Sequence, residues 1–138
     1  MKAVVVGCGR VGSACALALT EDGWDVSVID QKEEALDRLG AKWGGGFVVG
    51  HGMDVSVLHE AGIEIADAVI VATNGDNTNL VVAQVAKKRF GVPCVVARVL
   101  DPARAAFYDT LGVQTISPTS RAIRALIETV KDSVGTAS

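Results

Sequence analysis

A chain of 138 residues with a formal net charge of −3 and a pI near 5.3 is long enough for one domain with a buried core. It is too short for a cofactor domain plus a separate substrate domain. Hydrophobic residues make up 49% of it, yet no apolar run approaches the roughly 18 residues of a spanning helix, and the acidic balance gives no support for nucleic-acid binding.

Residues 3 to 6 (AVVV) read as the first strand, and Gly7, Gly9 and Gly12 follow it in the GxGxxG spacing of a dinucleotide turn. Gly7 permits a tight strand-to-helix turn, Gly9 lets the backbone approach a pyrophosphate, and Gly12 lets the helix lie close to the sheet. The helix start offers free N–H groups and the positive end of its dipole. Arg10 either points into solvent or meets a phosphate. Cys8 reads as an inert thiol whose backbone matters. Cys8, Cys15 and Cys94 lack metal-ligand spacing, and no basic, apolar and small-residue leader opens the chain, so reduced thiols in the cytoplasm are expected.

The first helix is expected to run from Gly9 to near Gly23, with Val11, Ala14, Cys15 and Ala18 facing the sheet. A second strand at 26 to 29 (VSVI) ends at Asp30, eighteen residues beyond Gly12 and close to the roughly 20 expected of a ribose-binding acid. A carboxylate there accepts hydrogen bonds from a ribose diol and repels a 2′-phosphate, which favours NAD or ATP over NADP.

Further strands are read at 47 to 49, 68 to 72, 94 to 97 and 113 to 116. Helices are read at Lys32 to Leu39, Val55 to Ala61 and Asn77 to Phe90, each followed by glycine. Asp101-Pro102 and Ser117-Pro118 each place a capping side chain before a proline at the first helical position. Six Val-rich strands alternating with helices predict a Rossmann-like doubly wound parallel sheet, order 3-2-1-4-5-6. Residues 1 to 134 form the expected nucleotide-binding domain and 135 to 138 a flexible tail or linker start. In the last helix Ile123, Leu126, Ile127, Val130 and Val134 make an apolar stripe; it either covers the chain's own sheet or forms a dimer surface.

The blocks GCGRVGSACALAL, VSVID, FVVGHGMDVSVLHEAGIEIADAVIVATNGDNTNLVVAQVAKK, VVARVLDPARAAFYDTLGV and TISPT resemble the nucleotide-binding lobe of Trk/Ktr-type regulators of potassium conductance, the TrkA N-terminal domain family. The resemblance spans nearly the whole chain. It implies a non-catalytic cytoplasmic domain that binds NAD(H), ATP, ADP or AMP, forms a homodimer or a higher ring, and regulates a membrane potassium transporter or channel without entering the membrane itself.

On this resemblance Gly7, Cys8, Gly9, Arg10, Val11 and Gly12 hold the phosphates, and Asp30 holds the ribose with Gln31 and Lys32 beside it. Gly50, His51, Gly52 and Met53 approach the base. Thr73, Asn74 and Gly75 flank the phosphate side, with Asn79 one turn into the next helix. Arg98 is placed at the ligand's far end, at a subunit contact, or in a surface ion pair. The chief departure is His51, where such proteins usually carry an aspartate. An NAD-dependent oxidoreductase cofactor domain is the alternative; only His51 and His59 are available as histidine acid–base groups.

Overall fold

The computed structural model describes residues 1 to 135. Six strands, β1 (Lys2–Val6), β2 (Asp25–Asp30), β3 (Gly46–Val49), β4 (Ala68–Val71), β5 (Cys94–Arg98) and β6 (Gln114–Ile116), form one parallel sheet of order β3-β2-β1-β4-β5-β6. This is the predicted order. The helices are α1 (Arg10–Glu21), α2 (Val55–Glu60), α3 (Asp76–Gln84), α4 (Pro102–Asp109) and α5 (Pro118–Gly135). Residues 136 to 138, most of the expected tail, lie outside the described residues.

The sheet has two unlike faces. Val4, Val6, Val69, Val71, Val95 and Ala97 point to one side, where Leu58 of α2 and Val82, Ala83 and Ala86 close over them. On the other side Ala3, Val5, Val26 and Val28 lie under Ala16, Leu19, Ala35 and Leu39. Fully burying one such valine stabilises the fold by about 1.5–3 kcal/mol.

Registration places Ala68, Ile70, Cys94, Val96, Arg98 and Ile116 on that second side, in line with Ala3 and Val5. All six are only partly buried, whereas their neighbours facing the first side on β4 and β5 are buried. Apart from Ile70, which packs against the Val5 and Ala16 cluster, this side of the β4-β5-β6 half of the sheet is thus only partly covered among the described residues. Helix α5 does not cover it: every residue from Arg121 to Gly135 is exposed, including Ile123, Leu126, Ile127, Val130 and Val134. The stripe therefore does not cover the chain's own sheet.

Three local expectations need correction. In α1 the buried residues are Gly12, Ser13 and Ala16, while Val11, Ala14 and Ala18 are exposed. Close contact at Gly12 sets the helix rotation, and Ser13 can be buried because its hydroxyl donates to the Gly9 carbonyl at 2.6 Å. The stretch Glu33–Leu39 is a 3₁₀ helix, the form that short connectors favour. The helix read as Asn77 to Phe90 widens after Gln84 into a π turn, Val85–Arg89, closed by Phe90 N–H donating to the Val85 carbonyl at 3.3 Å.

Candidate functional site

At the carboxyl ends of the strands, where β1 and β4 diverge to opposite sides of the order, lies a cavity of about 400 Å³. A parallel sheet leaves its crevice at such a switch point. Gly7, Cys8, Gly9, Asp30, Gln31, Lys32, Gly50, His51, Gly52, Thr73, Asn74 and Gly75 line it, so residues from four separate strand ends meet there. Of the other residues singled out, Arg10, Val11, Gly12, Met53, Asn79 and Arg98 do not line the cavity.

Each glycine of the turn has its own reason. Gly7 has φ +100°, and a side chain on it would meet the Ala72 carbonyl oxygen at 2.7 Å. A Cβ on Gly12 would come within 1.7 Å of the Gly7 carbonyl oxygen, so Gly12 is where helix and turn interlock. Gly9 differs: a Cβ there would meet nothing within 4 Å, and its φ of −82° suits any residue. Packing within the chain does not call for glycine at position 9. The space beside it belongs to the cavity.

The start of α1 carries no side-chain cap and no acidic residue in its first turn. Its first N–H groups have no side-chain acceptor, and a helix start of this kind, with the dipole end behind it, attracts anions. Asp30 stands at the other end of the turn. Its carboxylate accepts from Cys8 N–H and from Lys32 N–H, both at 2.8 Å, so it ties the glycine turn to the end of β2. Each carboxylate oxygen keeps a further lone pair.

Burial, and then the Asp30 charge, push the Cys8 thiol up, with Arg38 acting the other way. Cys8 stays a neutral thiol donating to the Ala35 carbonyl at 3.3 Å, in keeping with an inert side chain.

Asn79 is fully buried and acts through the backbone. Its amide donates to the Thr73 carbonyl at 3.0 Å and the Arg98 carbonyl at 2.8 Å, and its oxygen accepts from Thr73 N–H at 3.0 Å. It therefore locks the end of β4 to that of β5. Arg98 supports the same corner from the open side of the sheet. Its Nη2 donates to the Thr73 carbonyl at 2.7 Å and the Ala72 carbonyl at 3.3 Å, and Arg98 makes no ion pair among the described residues. Both are positioning residues for the Thr73–Gly75 wall.

The cavity wall also includes Arg38 and Thr78, which the sequence reading passed over. Arg38 carries one signal in the sequence, a cation on the short helix that follows Asp30. It is exposed, so solvent and salt screen its charge. His59 lies outside the site, on the exposed surface of α2, paired with Glu64 and edge-on to Phe90.

An interrupted strand-to-helix turn, an uncapped helix start, a ribose-type acid and a crevice at the switch point define a Rossmann-type nucleotide-binding domain. Residues 3–118 match the TrkA-N domain, and the chain belongs to that family. It is 48% identical over 117 residues to the Trk system potassium uptake protein TrkA of Streptomyces coelicolor, covering 85% of this chain and 52% of that protein. To the protein of the same name from Mycobacterium tuberculosis it is 36% identical over 132 residues, covering 93% of this chain and 58% of the relative. The chain thus spans little more than half the length of these curated relatives.

Among solved structures it is similar to the TrkA-N domain of the inner membrane protein ybaL from Escherichia coli. The TM-score is 0.83 at 22% identity, covering 93% of this chain and 95% of that one. The Kef CTD of Shewanella denitrificans in AMP-bound form gives 0.80 at 22% identity, covering 95% and 80%. The GsuK channel bound to NAD gives 0.77 at 25% identity, covering 91% of this chain and 22% of that one. No helix among the described residues is long and apolar enough to cross a membrane.

Proposed function

We infer that this domain is a nucleotide-sensing regulatory unit of a potassium uptake system, taking NAD(H) or an adenine nucleotide (ATP, ADP or AMP) in the cavity and passing its occupancy to a membrane partner. The observation that carries the reading is Gly9, a glycine the protein's own packing does not require, set in the cavity at the uncapped start of α1 with Asp30 across from it. Pyrophosphate or phosphate oxygens accept from the α1 N–H groups, and the ribose diol donates to Asp30. Membership of the TrkA-N family and the potassium uptake names of its relatives support the transport role.

The domain works by differential binding. Ligands that pack differently against the Thr73–Gly75 wall and the Gly50–His51 segment favour different arrangements of paired domains, and only that difference moves a partner. Two surfaces left exposed in one copy support pairing: the stripe of α5 and the open side of β4, β5 and β6. A second copy of this chain offers each surface its complement, which gives a homodimer and, with further contacts, a ring on the cytoplasmic face of the transporter or channel. The proposed role is binding without turnover, a reading that the potassium uptake names of the relatives support.

Gly9→Val tests the site with little risk to the fold. The variant is expected to melt within a few degrees of the parent and to bind AMP and NAD at least tenfold more weakly, measured by calorimetry, because its side chain fills the phosphate approach. Undiminished binding by a folded variant would overturn the placement of the phosphates.

A further inference from the structure

His51 is held in one tautomer. Its Nδ1 accepts from the Met53 N–H at 3.1 Å, which requires a lone pair on that nitrogen, so the neutral ring carries its proton on Nε2. Nε2 has no protein partner among the described residues, and the half-buried ring lines the cavity. Glycines on either side fix its backbone. A Cβ on Gly50 would meet Val57 at 2.5 Å and one on Gly52 would meet Val6 at 2.5 Å, so the segment lies close against β1 and α2. Asp54, the nearest acid in sequence, accepts from Ser56 as the cap of α2, and its carboxylate faces His51 through charge and not through a hydrogen bond.

The base end of the cavity therefore presents a fixed N–H donor. A carboxylate at this position would present only acceptors: facing the 6-position it would pair with the amino group of adenine and repel O6 of a 6-oxo purine, whose remaining donor on that edge is N1–H. A donor instead needs an acceptor on the base edge, which adenine supplies from a ring nitrogen and a 6-oxo purine supplies from a ring nitrogen or from O6.

Resting on the nucleotide-site reading above, we propose that His51 makes the domain a purine-nucleotide site read through a base acceptor, so that 6-oxo purine nucleotides enter it as readily as 6-amino ones. The ligand class is wider than adenine nucleotides. The discriminating group is one imidazole N–H.

Two variants separate donor from acceptor at nearly constant size. His51→Asn keeps an oxygen for the Met53 N–H, in the turn that Asn and Asp favour two residues before a bonded N–H, and keeps an N–H₂ donor for the base. His51→Asp keeps the same turn and replaces the donor with an acceptor. Calorimetry with AMP and inosine monophosphate, which differ by an amino group against an oxo group, reads the outcome.

The parent and His51→Asn are expected to bind inosine monophosphate within about threefold of AMP, or more tightly. His51→Asp is expected to disfavour it by at least tenfold relative to AMP, the scale of a mismatched buried hydrogen bond. Equal ranking in all three proteins, or a parent that prefers AMP by tenfold or more, overturns the assignment of His51 while leaving the site intact. Failure of the parent to bind either nucleotide overturns the site reading along with it.

Discussion

Gly12→Ala is expected to cost more than about 3 kcal/mol of stability, above the usual range for overpacking because the clash is backbone against backbone. The added Cβ would fall 1.7 Å from the Gly7 carbonyl oxygen, and no rotamer change relieves it. Helix α1 must lift from β1, exposing Ala16 and Val5, which are fully buried. For a domain of this size the melting temperature should fall by roughly 10 °C or more, and much of the variant should be insoluble on expression. A melting temperature within 2 or 3 °C of the parent, by circular dichroism, would show that turn and helix are not interlocked at Gly12. The contrast with Gly9→Val is the informative part: two glycines of one motif, one packed tightly into the fold and the other beside open space.

Ile127→Asp should act on assembly and leave the fold alone. Ile127 is half exposed on a helix whose residues from Arg121 to Gly135 are all exposed, so a charge there costs the single copy little. In a dimer joined through the α5 stripe the same carboxylate is buried without a partner. Together with the lost apolar contact this weakens association by about 3 kcal/mol or more, over 100-fold in dissociation constant. Light scattering should find the parent as a dimer and the variant as a folded monomer with an unchanged melting curve. A dimer that persists in the variant would move the interface away from α5.

The strand order was legible because the fold is written in simple repeats: continuous valine runs between glycine or proline punctuation, and a glycine turn whose position defines β1. The site was legible to the extent that backbone chemistry builds it. Gly7, Gly9 and Asp30 signal themselves by residue type and spacing. Asn79 is different, since its role lies in amide bonds to two strand ends that come together only after folding. The family resemblance set it beside the ligand, whereas its side chain is fully buried and does not line the cavity.

The rotation of α1 was misread for a related reason. Pattern reading treats serine as an outward residue, yet Ser13 satisfies its own hydroxyl against the helix backbone and goes inward. The widened turn at Val85–Arg89 leaves no mark in residue type. Arg38 reaches the cavity through the path of a short 3₁₀ helix, which spacing along the chain does not convey. The partly covered half-sheet is likewise invisible in sequence, because Val96 and Ile116 look like core residues whether or not a second chain covers them.

Calorimetry of the purified chain with AMP, NAD and NADP tests the central claim most directly. The α1 N–H groups and Asp30 together predict saturable binding of AMP and NAD at one site per subunit, with NADP about tenfold weaker because its 2′-phosphate meets the Asp30 carboxylate and the exposed Arg38 compensates little. No heat from AMP or NAD, or tightest binding by NADP, would contradict it.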